Sequence, residues 1–181
     1  MRLLYFPERN AGFYAEKGLF IIIMTLFDEY AEYGQPREHA ARFTVAKVDY
    51  EVYFTQITDD NPYDCAADFP GGFAFAEVGN HYDVTFDTKA NRVNKTPFAR
   101  AKELPPGAGT RVVKCVERII FDHYTAFNVG LYSFVPADSK LTSVYCRAVS
   151  LKRHKGSTIE VGLEPKGKAN VLRTPEFYRQ T

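Results

Sequence analysis

Apolar positions change their spacing several times along the chain, and each change marks an element. From Gly12 onward Phe13, Phe20, Ile23, Met24, Phe27 and Tyr30 recur at steps near three and four, and Gly34 followed by Pro36 supplies a stop. This pattern predicts a helix from about Tyr14 to Tyr33. Its strongly apolar middle implies burial on more than one side. Upstream, Met1 to Phe6 reads as a short strand with Pro7 to Asn10 as its turn. The period then drops to two, at Phe43 and Val45 and again at Tyr50, Val52 and Phe54. Two strands about a tight turn near Ala46 to Asp49 are expected. Beyond an acidic loop from Thr58 to Gly72, Phe73 to Val78 and Tyr82 to Asp87 form a second candidate hairpin around Gly79-Asn80, and an antiparallel meander is the simplest arrangement.

The second half opens on Thr88 to Pro106, the longest stretch without periodicity, of a length that in compact domains carries function or disorder. Pro105 to Thr110 reads as a turn, with Thr110 expected to cap the helix that follows. Val112, Val113, Val116, Ile119 and Ile120 are that helix's buried face, and Asn128 lies near its end. Val129 to Val135 reads as a strand, Pro136-Ala137-Asp138 as a turn, and Ser139 to Val149 as a further helix. The tail alternates at Ile159, Val161 and Leu163, turns at Pro165 to Gly167 and returns through Val171. The expected fold is α+β, a single domain over residues 1–181. An antiparallel or mixed sheet of five to seven strands would be packed by one N-terminal and two C-terminal helices.

Charge alters this picture, because the near-neutral total of +1 hides a split. Met1 to Asp87 carries 6 Lys/Arg against 15 Asp/Glu, a net −9, and Thr88 to Thr181 carries 17 against 7, a net +10. Such asymmetry points to nucleic acid, a phosphate-bearing ligand or an acidic protein surface. It also allows a homo-oligomer whose unlike halves pair head to tail. At 181 residues the chain can bury a core without a disulfide or metal staple. Its three cysteines, Cys65, Cys115 and Cys146, are widely spaced and odd in number. They suit a reducing compartment and inert thiols. The longest apolar run, Leu19 to Phe27, falls well short of the roughly 20 residues a membrane helix needs. A soluble, cytoplasmic protein with no membrane contact is expected.

Pro105 to Val149 presents a glycine turn, a helix, a strand and a second helix bearing Tyr145. This order resembles the second half of the GNAT acetyltransferases. The resemblance implies a coenzyme A pyrophosphate at the loop of Gly107, Gly109 and Thr110, where amides at a helix start face the phosphates, and Tyr145 as general acid towards the leaving thiolate. Over a longer span, the strand rich in Tyr and Phe, the Val-rich helix and a helix with Tyr145 and Arg147 resemble small uncharacterised proteins of tailed bacteriophages. That likeness implies a phage origin, hence the host cytoplasm, and no established activity.

The chain holds 15 Phe and 12 Tyr but no Trp, and several alternate with cations in the basic half, as at Phe98-Ala99-Arg100 and Phe177-Tyr178-Arg179. Single-stranded nucleic acid needs cations for phosphates and aromatic faces for bases. The expected phosphate contacts are Arg92, Lys95, Arg100, Lys102, Lys152, Arg153 and Lys155, with Phe98 as stacker. His154 sits inside the basic run Lys152 to Lys155, which reads as a solvated turn. Metal and hydrolytic chemistry find little support. His39, His81, His123 and His154 are scattered, no G-x-S-x-G elbow occurs, and Asp59, Asp60, Asp64 and Asp68 lack the regular spacing of a calcium loop. His123, four residues after Ile119, reads as a satisfied histidine near a helix end. The leading reading is a non-enzymatic, phage-type binding protein for nucleic acid, without cofactor. The alternatives are a GNAT-like acyl-coenzyme A transferase and a virion-assembly or host-interaction protein.

Overall fold

A computed structural model describes residues 12–16, 19–23, 25–30, 36–58, 67–71, 73, 80–99, 104–136, 139–150 and 154–179. Its centre is a seven-stranded mixed sheet. In chain order the strands are β1 (Gly12–Glu16), β2 (Leu19–Ile23), β3 (Asp28–Tyr30), β4 (Glu38–Val45), β5 (Val48–Ile57), β6 (His81–Thr88), β7 (Leu131–Phe134), β8 (Thr158–Leu163) and β9 (Ala169–Arg173). The helices are α1 (Lys89–Asn94), α2 (Ala108–Phe127), α3 (Ser139–Val149) and α4 (Pro175–Arg179). The large sheet runs β3-β4-β5-β6-β7-β9-β8, and β1 and β2 pair separately as an antiparallel hairpin. The α+β class holds, with both long C-terminal helices in place.

The N-terminal helix expected over residues 14–33 is not formed; the described residues there are β1, β2 and β3. Phe20-Ile21-Ile22-Ile23 explains the difference. Three consecutive β-branched residues favour the extended chain by intrinsic preference. Spacings of three and four arise by chance when nearly every position is apolar. The segments Met1 to Asn10 and Ala74 to Gly79, read as an opening strand with its turn and as one arm of a hairpin, lie outside the described residues.

The period-two segment folds as its spacing requires. In β4 and β5, His39, Ala41, Phe43 and Val45 share one face with Tyr50, Val52 and Phe54, and the strands meet at Ala46-Lys47, both at positive φ. That two-residue turn twists in the sense the strands need. Tyr82, Val84 and Phe86 continue the face on β6. Against it lies α2, through Val112, Val116 and Ile119. Val113 and Ile120 are only partly buried. Helix α2 starts at Gly107, which is left-handed at φ 78° and gives no side-chain cap, so Thr110 is the helix's third residue and not its cap. Asn128, also left-handed, ends it. The stretch after Thr88 is less irregular than its composition suggests. Thr88 caps α1 by accepting from the Asn91 amide, and Lys95 closes it at φ 55°.

The chain crosses from β6 to β7 through α2, and the two strands run parallel. Beneath the sheet a second cluster joins Leu131, Leu163, Ala169 and Val171 to Phe69, Phe73 and Phe177. Strand order preserves the charge split in part, since β3 to β6 come from the acidic half and β7 to β9 from the basic half. Arg92–Glu51 at 3.8 Å and Lys166–Asp68 at 2.9 Å bridge the two. Among the described residues no helix is long and apolar enough to cross a membrane.

Candidate functional site

The parallel pairing of β6 and β7 lasts only three residues, His81 to Asp83 against Leu131 to Ser133. Beyond it β6 runs on to Thr88 while β7 ends at Phe134. Between the parted strands opens a cleft of about 1380 Å³. Val84 to Thr88 line one wall and Phe134 to Pro136 the other, α2 and α3 form the roof, and residues of β8 and β9 close the far side. A crevice at the carboxyl ends of parallel strands, next to a helix start, is where open sheets of this kind bind ligands.

The start of α2 contributes backbone donors. The Ala108 amide donates to the Pro105 carbonyl and the Arg111 amide to Gly107. Among the described residues no hydrogen bond takes the amides of Gly109 and Thr110. The first turn holds no acid, and Arg111 and Lys114 are exposed beside it. This is the electrostatics of an anion-receiving helix start. Gly109 lines the cleft, whereas Gly107 and Thr110 are exposed just outside its lining. A methyl group added at Gly109 would meet nothing within 4 Å.

From α3, Tyr145 reaches the same cleft, half-buried, with the Phe134 ring edge-on at 5.1 Å. Deeper on α2, Glu117 is buried and hydrogen-bonded to Nε2 of His154, itself buried and packed edge-on against Phe121 at 5.5 Å. Both line the cleft. His154 is therefore no part of a solvated turn. A buried carboxylate compensates for its burial, while Lys155 beside it stays exposed. At the mouth stands Phe98, 63% exposed and at φ 59°. Its strained backbone is held by Asp87, whose carboxylate accepts from the Phe98 amide at 2.8 Å and from Thr88 N and Asn91 Nδ2.

Of the expected phosphate contacts, Arg92, Lys95 and Lys155 lie among the described residues. Arg92 lies over the Tyr53 ring at 4.1 Å and pairs with Glu51. Lys95 is exposed near Phe98, whereas Lys155 precedes β8. Arg100, Lys102, Lys152 and Arg153 lie outside the described residues.

Two further buried clusters contain the remaining histidines. His39 Nδ1 is 2.7 Å from His123 Nε2, and His123 Nδ1 is 2.8 Å from the Tyr132 hydroxyl. Phe54 stacks on His123 at 3.8 Å and Phe127 on His39 at 4.0 Å. Burial lowers His39 to about 4, helped by Arg37, and lowers His123 well below its ordinary value, helped by His39. On the opposite face, Ser133 Oγ donates to Asp83 Oδ1 at 2.6 Å and lies 3.1 Å from His81 Nε2. The serine proton is thus directed at the aspartate and not at the histidine, the reverse of a nucleophile paired with its base. Burial lowers His81 to about 3. No group of three or more metal-binding side chains occurs among the described residues. Burial also pushes up the Cys115 thiol, which disfavours its reactive thiolate.

Sequence spacing carried no signal for these contacts. His39 and His123 are 84 positions apart, Glu117 and His154 are 37 apart, and only the fold joins them. No family model, curated protein or solved structure matches the chain.

Proposed function

We propose that the cleft binds an acyl-coenzyme A and that the chain is a GNAT-like acyltransferase. The observation that carries this reading is a single cleft, opened by two parting parallel strands, that is lined by both the start of α2 at Gly109 and Tyr145 of α3. Strand, helix start, strand and tyrosine-bearing helix is the order of the coenzyme A site in the family that residues 105–149 resemble. Leu104 stands where that family carries Gln or Arg, so recognition of the pyrophosphate falls to the Gly109 and Thr110 amides and to the nearby cations. The thioester supplies the activated acyl group. Tyr145 donates a proton to the departing sulfur, and the apolar walls at Val84, Phe86, Val116 and Leu172 exclude water.

Thermal unfolding with acetyl-coenzyme A tests the proposal. At about 100 times its dissociation constant a ligand adds roughly 2.7 kcal/mol of stability, so a clear rise in Tm is expected. No rise at millimolar ligand overturns the reading. A second reading, a surface for single-stranded nucleic acid, is favoured by exposed Lys95 and Phe98 in one loop. It requires oligonucleotide affinity to fall with salt at a slope of about −0.7 per phosphate.

A further inference from the structure

We infer that the far side of the cleft, at Asn170 and Lys168, holds a carboxylate, and that the acyl-coenzyme A bound there is one whose acyl chain ends in that carboxylate. The inference rests on the acyl-coenzyme A reading and adds to it the class of acyl group. Asn170 is 2% exposed and lines the cleft. It stands on β9 directly opposite Phe134 of β7, and neighbours in register share a face of the sheet. That face is the one towards α3, since the Phe134 ring meets Tyr145 edge-on at 5.1 Å. The Asn170 side chain is fixed at one end only. Its Oδ1 accepts from the Gly162 amide at 3.0 Å, at an irregularity of β8 where Gly162 is left-handed at φ 69°. The two ends of a planar amide diverge, so Nδ2 turns away from β8, to the side where Phe134 and Tyr145 stand. Among the described residues this buried nitrogen has no hydrogen-bond partner. Buried donors are seldom left so, and an orphan on the wall of a cleft fits the acceptor of a ligand.

The kind of acceptor follows from charge. Both acids of the cleft wall are already engaged, Asp87 by the amides of Thr88 and Phe98 and by Asn91, and Glu117 by His154. Lys168 is different. It lines the cleft two residues before Asn170, exposed and paired with no acid among the described residues, whereas nearby Lys166 is taken by Asp68 at 2.9 Å. The polar capacity still open is therefore donor at two places: the amides of Gly109 and Thr110 at the start of α2, and Asn170 Nδ2 with the Lys168 ammonium beside β9. A ligand that satisfies both is anionic at both ends. Coenzyme A brings its pyrophosphate to the first, and an acyl chain ending in a carboxylate brings an anion to the second. A carboxylate has lone pairs enough for both donors, and hydrogen bonds to a charged acceptor are the stronger kind. A plain alkyl chain would leave Nδ2 unpaired.

Calorimetric binding of two thioesters of equal chain length, succinyl-coenzyme A and butyryl-coenzyme A, tests this in wild type, Asn170→Asp and Lys168→Met. The aspartate keeps an oxygen for the Gly162 amide and exchanges the donor for an acceptor. Should it fold poorly, Lys168→Met, at an exposed position, decides in its place. Wild type is expected to favour succinyl-coenzyme A by about tenfold or more, the size of one hydrogen bond to a charged group. Asn170→Asp should abolish or reverse that preference, and Lys168→Met should reduce it by roughly two- to fivefold. Butyryl-coenzyme A should bind all three proteins within about twofold. If neither thioester binds wild type, the acyl-coenzyme A reading falls and this assignment with it. If both bind wild type equally, or if the preference survives unchanged in either folded variant, the assignment alone is overturned.

Discussion

Two buried histidine sites packed against α2 show how one fold encloses one polar group completely and sets another beside a cleft. His123, near the end of α2, is enclosed by Phe27, Phe54, Phe127 and Tyr82 and bonded through both nitrogens. Between His39, His123 and Tyr132 two short contacts hold one proton each, and burial keeps both imidazoles neutral. If the chain runs from the Tyr132 hydroxyl through His123 to His39, then His39 Nε2–H points at Glu29, 3.8 Å away. Such a network fixes the packing of α2 on β4 and β7, and within it His39 Nε2 is the nitrogen left without a hydrogen bond. Some two turns earlier, Glu117 meets a histidine from beyond α3, at the wall of a cleft. The difference lies in the sheet. At His123 the strands are tightly paired, whereas beside Glu117 β6 and β7 have parted.

Acid acts most strongly on the enclosed histidines. His39 lies at about 4 and His81 at about 3, and His123 is also lowered, all from an ordinary 6.5. Below pH 6.5 the unfolded chain therefore binds protons that the folded chain refuses, so stability is full above that value and falls as pH drops towards 4. Each histidine contributes about 1.4 kcal/mol per pH unit in this window. Denaturant unfolding at pH 7.5 and 5.0, above the range where carboxylates titrate, should show a loss of roughly 2 kcal/mol per histidine. A flat stability over that interval would mean that the enclosed cluster opens readily to water.

Substitution sharpens the same contrast. His123→Ala should cost about 3 kcal/mol or more, since it removes a packed ring and strands both His39 and Tyr132. Tyr132→Phe, which deletes only the hydroxyl at the end of the network, should cost roughly 1 kcal/mol and leave any acyl transfer intact. Equal costs for the two would show that hydrogen bonding, and not ring packing, holds α2 to the sheet.

Much of the scaffold was legible in the sequence, because short-range signals build it. Alternation at Phe43 to Phe54 gave β4 and β5, and the spacing of Val112 to Ile120 with Asn128 gave α2. Ser139 to Val149 matched α3 at both ends. The residues 19–23 misled because a uniformly apolar run has no period to read. Helices α1 and α4, six and five residues long, are too short to register a stripe. Of the cleft, the glycine turn and Tyr145 could be named in advance by resemblance, but not the parting of β6 from β7, which depends on where two distant strands stop pairing. Glu117 stood unnoticed on an apolar helix face. His154 was hidden among Lys152, Arg153 and Lys155, where the composition suggested solvent.

The smallest expected effect on stability comes from Gly109→Ala, and it tests whether the helix start serves the fold or a ligand. Gly109 is the second residue of α2, in ordinary helical conformation, with open space where a Cβ would stand. On the fold alone, alanine should be neutral or stabilising by up to about 1 kcal/mol, because glycine loses more chain entropy on entering a helix. If the amides of Gly109 and Thr110 receive a pyrophosphate, that same open space is where the phosphate oxygens must approach. The added methyl group would then obstruct them. The expected outcome is a variant with unchanged or raised Tm in the absence of ligand and a smaller rise on adding acetyl-coenzyme A. A full ligand-induced rise would move the anion away from the start of α2.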